Sequence, residues 1–200
     1  MAVYIFANKD RHIFASPPTS FAVWLLNKLI IRENVILRIV ETEAYGAIDD
    51  QASHAYRGKR LFNATMFLPA GHLYVYKIYG IHYCANVVCG GTDSPAAVLL
   101  RAAEIIEGKE VVQSRRDKQG DSSLVSGPGN LALALGITTY VDGEDLLYNS
   151  SVKIATDGIE PPENYLQAKR VGLGKNSGSA ALYNWRYGVP NSLALSKKFL

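Results

Sequence analysis

Residues 73–88 read Leu-Tyr-Val-Tyr-Lys-Ile-Tyr-Gly-Ile-His-Tyr-Cys-Ala-Asn-Val-Val, and no other stretch limits the fold so strongly. Aromatic and β-branched residues flank a single glycine. That pattern predicts strands over Leu73 to Tyr79 and Ile81 to Val88, with the turn at Gly80. A second hairpin is predicted upstream, where Leu29 to Arg32 and Val35 to Ala44 surround a tight Glu33-Asn34 turn and Gly46 ends the second strand. Before it, Thr19 or Ser20 is placed to cap a helix over Phe21 to Leu29. Downstream, Ala97 to Arg101 reads as a short apolar strand running into a helix over Ala102 to Lys118, weakened at Gly108. Asp142-Gly143 suggests a late hairpin, and the last thirty residues look irregular. Strands that pair with sequence neighbours, with helices between the hairpins, predict an α+β fold. We expect a single mixed domain over residues 1–200, built on a curved antiparallel β-sheet with flanking helices.

Composition narrows the functional classes. Hydrophobic residues make up 48% and charged residues 20%, as in ordinary globular chains. The longest apolar run, Phe21 to Ile31, is broken by Asn27 and Lys28 and is too short to span a bilayer, so no membrane partner is expected. No leader pattern opens the sequence, and a cytoplasmic location is expected. Cys84 and Cys89 fall on opposite faces of one strand, which argues against a disulfide between them and for reduced thiols. His12, His54, His72 and His82 form no HExxH pair, and the cysteines form no CxxC, so no metal is expected. Neither a phosphate-binding loop nor a dinucleotide fingerprint is present, and no cofactor is called for. The net charge of +3 permits a polyanionic partner without requiring one.

Four groups of residues carry candidate chemistry. Along a regular strand, alternation places Leu37, Ile39, Glu41 and Glu43 on one face, so two carboxylates end an apolar stripe. They read either as solvated strand-end charges or as a general base beside a hydrolytic water. In the aromatic hairpin, the same rule sends Tyr76 and Tyr79 to opposite faces, one for a pocket and one for the tip, where a tyrosine suits a wedge in a base stack, though tyrosines also read simply as good strand formers. Lys77 shares a face with Tyr79, which suits a nearby phosphate. Arg57, Lys59 and Arg60 follow His54 and read as a solvated loop or a phosphate clamp. Arg101, at the end of Ala97-Val98-Leu99-Leu100, reads as an ion-pair partner or as the guide of a catalytic carboxylate.

Taken together and in order, these segments resemble the alkyladenine (3-methyladenine) DNA glycosylase family, and its bacterial members most closely. The resemblance runs from FAVWLLNKLI through IVETEAY, the hairpin, VLLRAAE, SGPGNLALALGI, DGEDL, RVGLG and WRY. It implies a monofunctional, cofactor-free enzyme that flips an alkylated or deaminated purine out of double-stranded DNA and hydrolyses its N-glycosidic bond, acting as a monomer at the nucleoid. Glu43 would be the general base and Arg101 would help hold the water, with the backbone at Val171 to Leu173 close by. Tyr45, His54 and Tyr76 would enclose the base, Asn86 would close the pocket against the amino group of guanine, and Tyr79 would fill the gap in the stack. Lys77, Arg57, Lys59 and Arg60 are the candidates for the DNA backbone. Asn130, Phe62 and Asn191 depart from the family pattern, and bear on DNA affinity more than on chemistry. Two rival readings are a carbohydrate glycosidase with Glu41 and Glu43 as its acid pair, and a non-catalytic module stacking single strands on Tyr74, Tyr76, Tyr79 and Tyr83.

Overall fold

The structure is a computed structural model that describes residues 2–91, 94–117 and 124–199. Among the described residues, nine strands form one open sheet: β1 (Tyr4–Ile5), β2 (Leu29–Arg32), β3 (Val35–Tyr45), β4 (Leu73–Ile78), β5 (His82–Cys89), β6 (Ala96–Glu107), β7 (Val152–Thr156), β8 (Leu166–Ala168) and β9 (Arg186–Gly188). Their order is β1-β7-β2-β3-β6-β5-β4. β9 pairs with β3 beyond the point where β2 leaves it, and β8 pairs with β9. Every pairing is antiparallel. Helices α1 (Arg11–Phe14), α2 (Pro18–Trp24), α3 (Lys109–Arg116) and α4 (Pro128–Ala134) cover the apolar face. The architecture is the expected α+β one.

The core is where alternation puts it. Leu37 and Ile39 of β3, Val75 of β4, Ala85 and Val87 of β5 and Val98 and Leu100 of β6 bury one face against Phe21 and Leu131. Phe6, Phe14, Phe21 and Trp24 form an aromatic cluster beneath α2, with Phe21 and Trp24 stacked at 5.4 Å. Cys84 and Cys89 are free thiols on opposite faces of β5, Cys84 lining a cavity and Cys89 in the core.

Four elements differ from expectation. Helix α2 starts at Pro18, not Phe21, with no side-chain cap from Thr19 or Ser20. Proline at the first helical position loses only an N–H that would be unpaired there anyway. β6 continues through Glu107 because the outer end of β3 offers it partners as far as Ile36, so the segment read as helix from Ala102 is strand. The helix begins only after Gly108, whose left-handed backbone (φ 83°) sits against the Asn34 carbonyl, and the expected end at Lys118 lies outside the described residues. Asp142-Gly143 makes no hairpin. It follows a 3-10 turn (Thr139–Val141) and runs beside β4, where Val75 N–H donates to the Asp142 carboxylate at 2.8 Å. Within the last thirty residues, β9 pairs with β3 at Glu41–Glu43, so that stretch is only partly irregular.

Candidate active site

Two irregularities in the pairing of β3 with β6 build the site. Ile39 pairs with Ala103 and Glu41 with Ala102, leaving Val40 as an extra residue; Thr42 then pairs with Leu100, leaving Arg101 extra on the other strand. Each bulge reverses the alternation. Leu37 and Ile39 face the core, as do Thr42, whose hydroxyl donates to the Ala22 carbonyl at 2.9 Å, and Ala44. Glu41 and Glu43 therefore turn to the opposite face from Leu37 and Ile39. The expected common stripe is broken because the strand is not regular. Arg101, the bulged residue of β6, is aimed at both carboxylates.

Glu41 and Glu43 are both fully buried, and their surroundings divide their roles. Glu41 is saturated. It accepts from Arg101 Nε at 3.0 Å, Arg186 Nη1 at 3.1 Å, Ser196 N–H at 2.5 Å and the Ser196 hydroxyl at 2.8 Å. Glu43 accepts the Val171 N–H at 2.7 Å on one oxygen and the Tyr45 hydroxyl at 2.8 Å on the other, with Arg101 Nη1 at 3.2 Å. Burial pushes the Glu43 carboxyl above the ordinary carboxylate range, against the pull of Arg101, the Val171 N–H and Tyr45; the negative charge of Glu41 adds to the rise.

In front of Glu43 lies a cavity of about 980 Å³. Its wall includes Tyr45, His54, Tyr76, Asn86, Arg101 and Val171, with Lys77 and Tyr79 toward the hairpin tip. All the residues expected around a base thus share one cavity, while the Glu43 carboxylate lies just behind the wall, held by its three partners. His54 meets Tyr76 edge-on at 4.6 Å, and its Nδ1 pairs with the Tyr74 hydroxyl at 2.8 Å. Burial lowers the His54 pKa, keeping the ring neutral. Burial also raises the Tyr45 and Tyr76 hydroxyls far above their usual range, so both stay protonated. The Asn86 amide donates to the carbonyls of Tyr74 (3.0 Å) and Cys84 (3.4 Å), which fixes its orientation.

Other calls are placed differently. Tyr79 is not a strand residue: β4 ends at Ile78, and Tyr79 and Gly80 are both left-handed (φ 53° and 70°) in a turn closed by Ile81 N–H to the Ile78 carbonyl. Its projection comes from the turn, which leaves it 78% exposed, and the face it was expected to share with Lys77 has no meaning there. The Lys77 ammonium lies over the Tyr83 ring. Arg57, Lys59 and Arg60 are exposed on a loop and do not reach the cavity wall.

Sequence reasoning missed a clamp behind Tyr45. Arg170 and Asp50, both buried, pair through two hydrogen bonds at 2.6 and 2.7 Å, and the guanidinium covers the Tyr45 ring at 4.7 Å. Asp50 also accepts Gly46 N–H, and Arg170 directly precedes Val171, so one ion pair sets both of the backbone segments that hold Glu43. An isolated aspartate in a polar loop gave no signal of this. Among the described residues, no group of histidine, cysteine and acidic side chains is placed to hold a metal ion, and no helix is long and apolar enough to cross a membrane.

The class is DNA glycosylase, an enzyme of DNA repair whose partner is DNA: a family model described as methylpurine-DNA glycosylase matches residues 12–193. Similar proteins carry the name "Putative 3-methyladenine DNA glycosylase". One from Streptomyces avermitilis is 37% identical over 193 residues, covering 93% of this chain and 89% of its own. Another from Burkholderia lata is 40% identical over 189 residues, with the same coverage, and one from Corynebacterium glutamicum is 40% identical over 184 residues, covering 92% and 84%. The chain belongs to the methylpurine-DNA glycosylase family. Neither rival reading survives. Glu41 is fully buried, tied to Arg101, Arg186 and Ser196, and off the cavity wall, so it cannot pair with Glu43 across a sugar, and Tyr74 is buried beneath the turn at Phe62 rather than part of an open stacking row.

Proposed function

We propose that this enzyme extrudes alkylated or deaminated purines, of the 3-methyladenine, 7-methylguanine, hypoxanthine and ethenoadenine class, from duplex DNA and hydrolyses their N-glycosidic bonds with a water activated by Glu43. The observation that carries this reading is the Glu43 carboxylate, buried and oriented by two hydrogen bonds and an ion pair directly behind an aromatic cavity. In the reaction, water gives a proton to Glu43 while its oxygen bonds to the anomeric carbon. The bond from that carbon to the purine nitrogen breaks, and its electron pair leaves with the base. A purine alkylated at N3 or N7 carries positive charge that this pair neutralises, so no acid is needed to expel it, whereas a neutral base such as hypoxanthine must also take up a proton as it leaves. Arg101, on the wall and 3.2 Å from Glu43, positions the water.

The cavity suits a cationic base. Tyr45 and Tyr76 offer ring faces that attract it by ~0.5–2 kcal/mol per good contact. A neutral His54 completes the enclosure without repelling it. Asn86, locked by its two carbonyl partners, would exclude the guanine amino group by bulk. Tyr79 takes the vacated place in the stack, and Lys77, Arg57, Lys59 and Arg60 meet phosphates. The span 1–200 works as one domain, since a single sheet joins the described strands. It works as one copy, since each group named here comes from the same chain. Free thiols suit a reducing, cytoplasmic setting.

The test is single-turnover excision by Glu43→Gln. Loss of a general base should slow it by at least ~10²–10⁴-fold while lesion-duplex binding persists. A near-wild-type rate would overturn the mechanism.

A further inference from the structure

At the mouth of the cavity stand two large apolar side chains that neither the core nor the base enclosure uses. Leu61 is 100% exposed and Phe62 58% exposed, and both line the cavity. They open a 3-10 turn (Leu61–Phe67) whose backbone is firmly tied. Asn63, fully buried, accepts Arg60 N–H at 2.6 Å and donates to the carbonyls of His54 (2.7 Å) and Gly58 (3.1 Å). The Thr65 hydroxyl donates to Asp142 at 2.9 Å, and Met66 packs in a buried cluster with Tyr74. Leu61 and Phe62 are therefore held outward by a fixed turn. Such ordered apolar exposure, rimmed by polar residues, marks a surface that another molecule covers.

Its surroundings identify that molecule. Arg57, Lys59 and Arg60, all exposed, lead directly into the turn and match a polyanion. The hairpin tip on the same cavity repeats the composition, with Tyr79 (78% exposed) and Ile81 (70% exposed) beside Lys77. We infer that Leu61 and Phe62 form a second apolar wedge, seated in the DNA at a base step flanking the extruded nucleotide, so that the duplex is gripped by two prongs. The inference rests on the reading that Tyr79 fills the gap left by extrusion. Opening a duplex unstacks neighbouring steps as well as the emptied one, and leucine and phenylalanine are side chains that occupy such steps. Phe62 also meets His54 edge-on at 5.5 Å, so seating the wedge bears on a wall of the base enclosure.

The experiment measures binding to a duplex carrying a tetrahydrofuran abasic site, which has no base to excise and so reads independently of Glu43. 2-Aminopurine placed next to the site reports stacking. Leu61→Ala and Phe62→Ala are compared with Tyr79→Ala and with Leu193→Ala, a control that is 85% exposed but off the cavity wall. Leu61→Ala and Phe62→Ala should each weaken duplex binding by roughly tenfold, change the neighbouring 2-aminopurine signal and leave single-strand binding within about twofold. Their melting temperatures should match wild type, and Leu193→Ala should bind normally. Unchanged duplex binding by both variants, or equal losses on duplex and single strand, overturns the second wedge. A normal Tyr79→Ala beside defective Leu61→Ala and Phe62→Ala would instead remove the first wedge.

Discussion

Glu43 and Glu41 are two residues apart and differ by what surrounds them. Because burial holds the Glu43 carboxyl above its ordinary range, its base form, and with it excision, should fade as pH falls through that raised value. The acid limb of the single-turnover profile should therefore lie above the usual carboxylate range. Stability carries the opposite sign. Between the ordinary and the raised pKa the folded chain holds a proton that the unfolded chain has released, so wild type loses stability as pH rises through this window. Glu43→Gln has no such titration, so its melting temperature should gain on wild type across the same window. A constant difference would count against the buried charge. Glu41→Gln should move the acid limb down, because a charge that raises Glu43 is gone, and should also slow the reaction by loosening Arg101. A purely structural Glu41 would change only the melting temperature. That Glu43, Tyr45 and His54 gather around one cavity was expected only from the resemblance, carried by the order of motifs along the chain. The role of Glu41 was not legible, because Arg186 and Ser196 lie 145 and 155 residues away.

Among the elements, the hairpins were legible and the bulges were not. β2–β3 and β4–β5 follow from alternation and turn chemistry, both of which are short-range. Whether a strand gains a residue at Val40 or Arg101 depends on the neighbour it pairs with, which no window of sequence contains. The boundary between β6 and α3 shows the same limit. Gly108 reads as a flaw inside a helix, yet it is the joint that lets a strand turn into one. Gly108→Ala puts a side chain in a left-handed conformation and against the Asn34 carbonyl. It should cost at least ~1–2 kcal/mol in denaturant unfolding. A helix interior that merely contained this glycine would instead be stabilised by alanine. The direction of the change decides between them.

For the molecule as a whole, the proposed chemistry draws on carboxylate, guanidinium, amide and aromatic groups brought together from β3, β4, β5 and β6. The histidines and cysteines show no metal spacing, so excision should persist after exhaustive chelation; loss of activity restored by one divalent ion would refute this. The family and the α+β class were readable from the order of motifs. The sheet order was not, since β7 between β1 and β2, and β9 on β3, are long-range pairings.

The ties between Glu41 and the segment after β9 set an order of events during synthesis. β3 leaves the ribosome long before Arg186 and Ser196 exist, so a nascent chain has a carboxylate bound for the interior with half of its countercharge still unmade. Arg186 in turn secures the carbonyls of Lys197 and Lys198 and lies on the Phe199 ring. The pairing of Glu41 is complete only when these residues arrive. On the proposed mechanism, a chain stalled on the ribosome before residue 186 lacks two of the partners of Glu41 and is expected to show no excision.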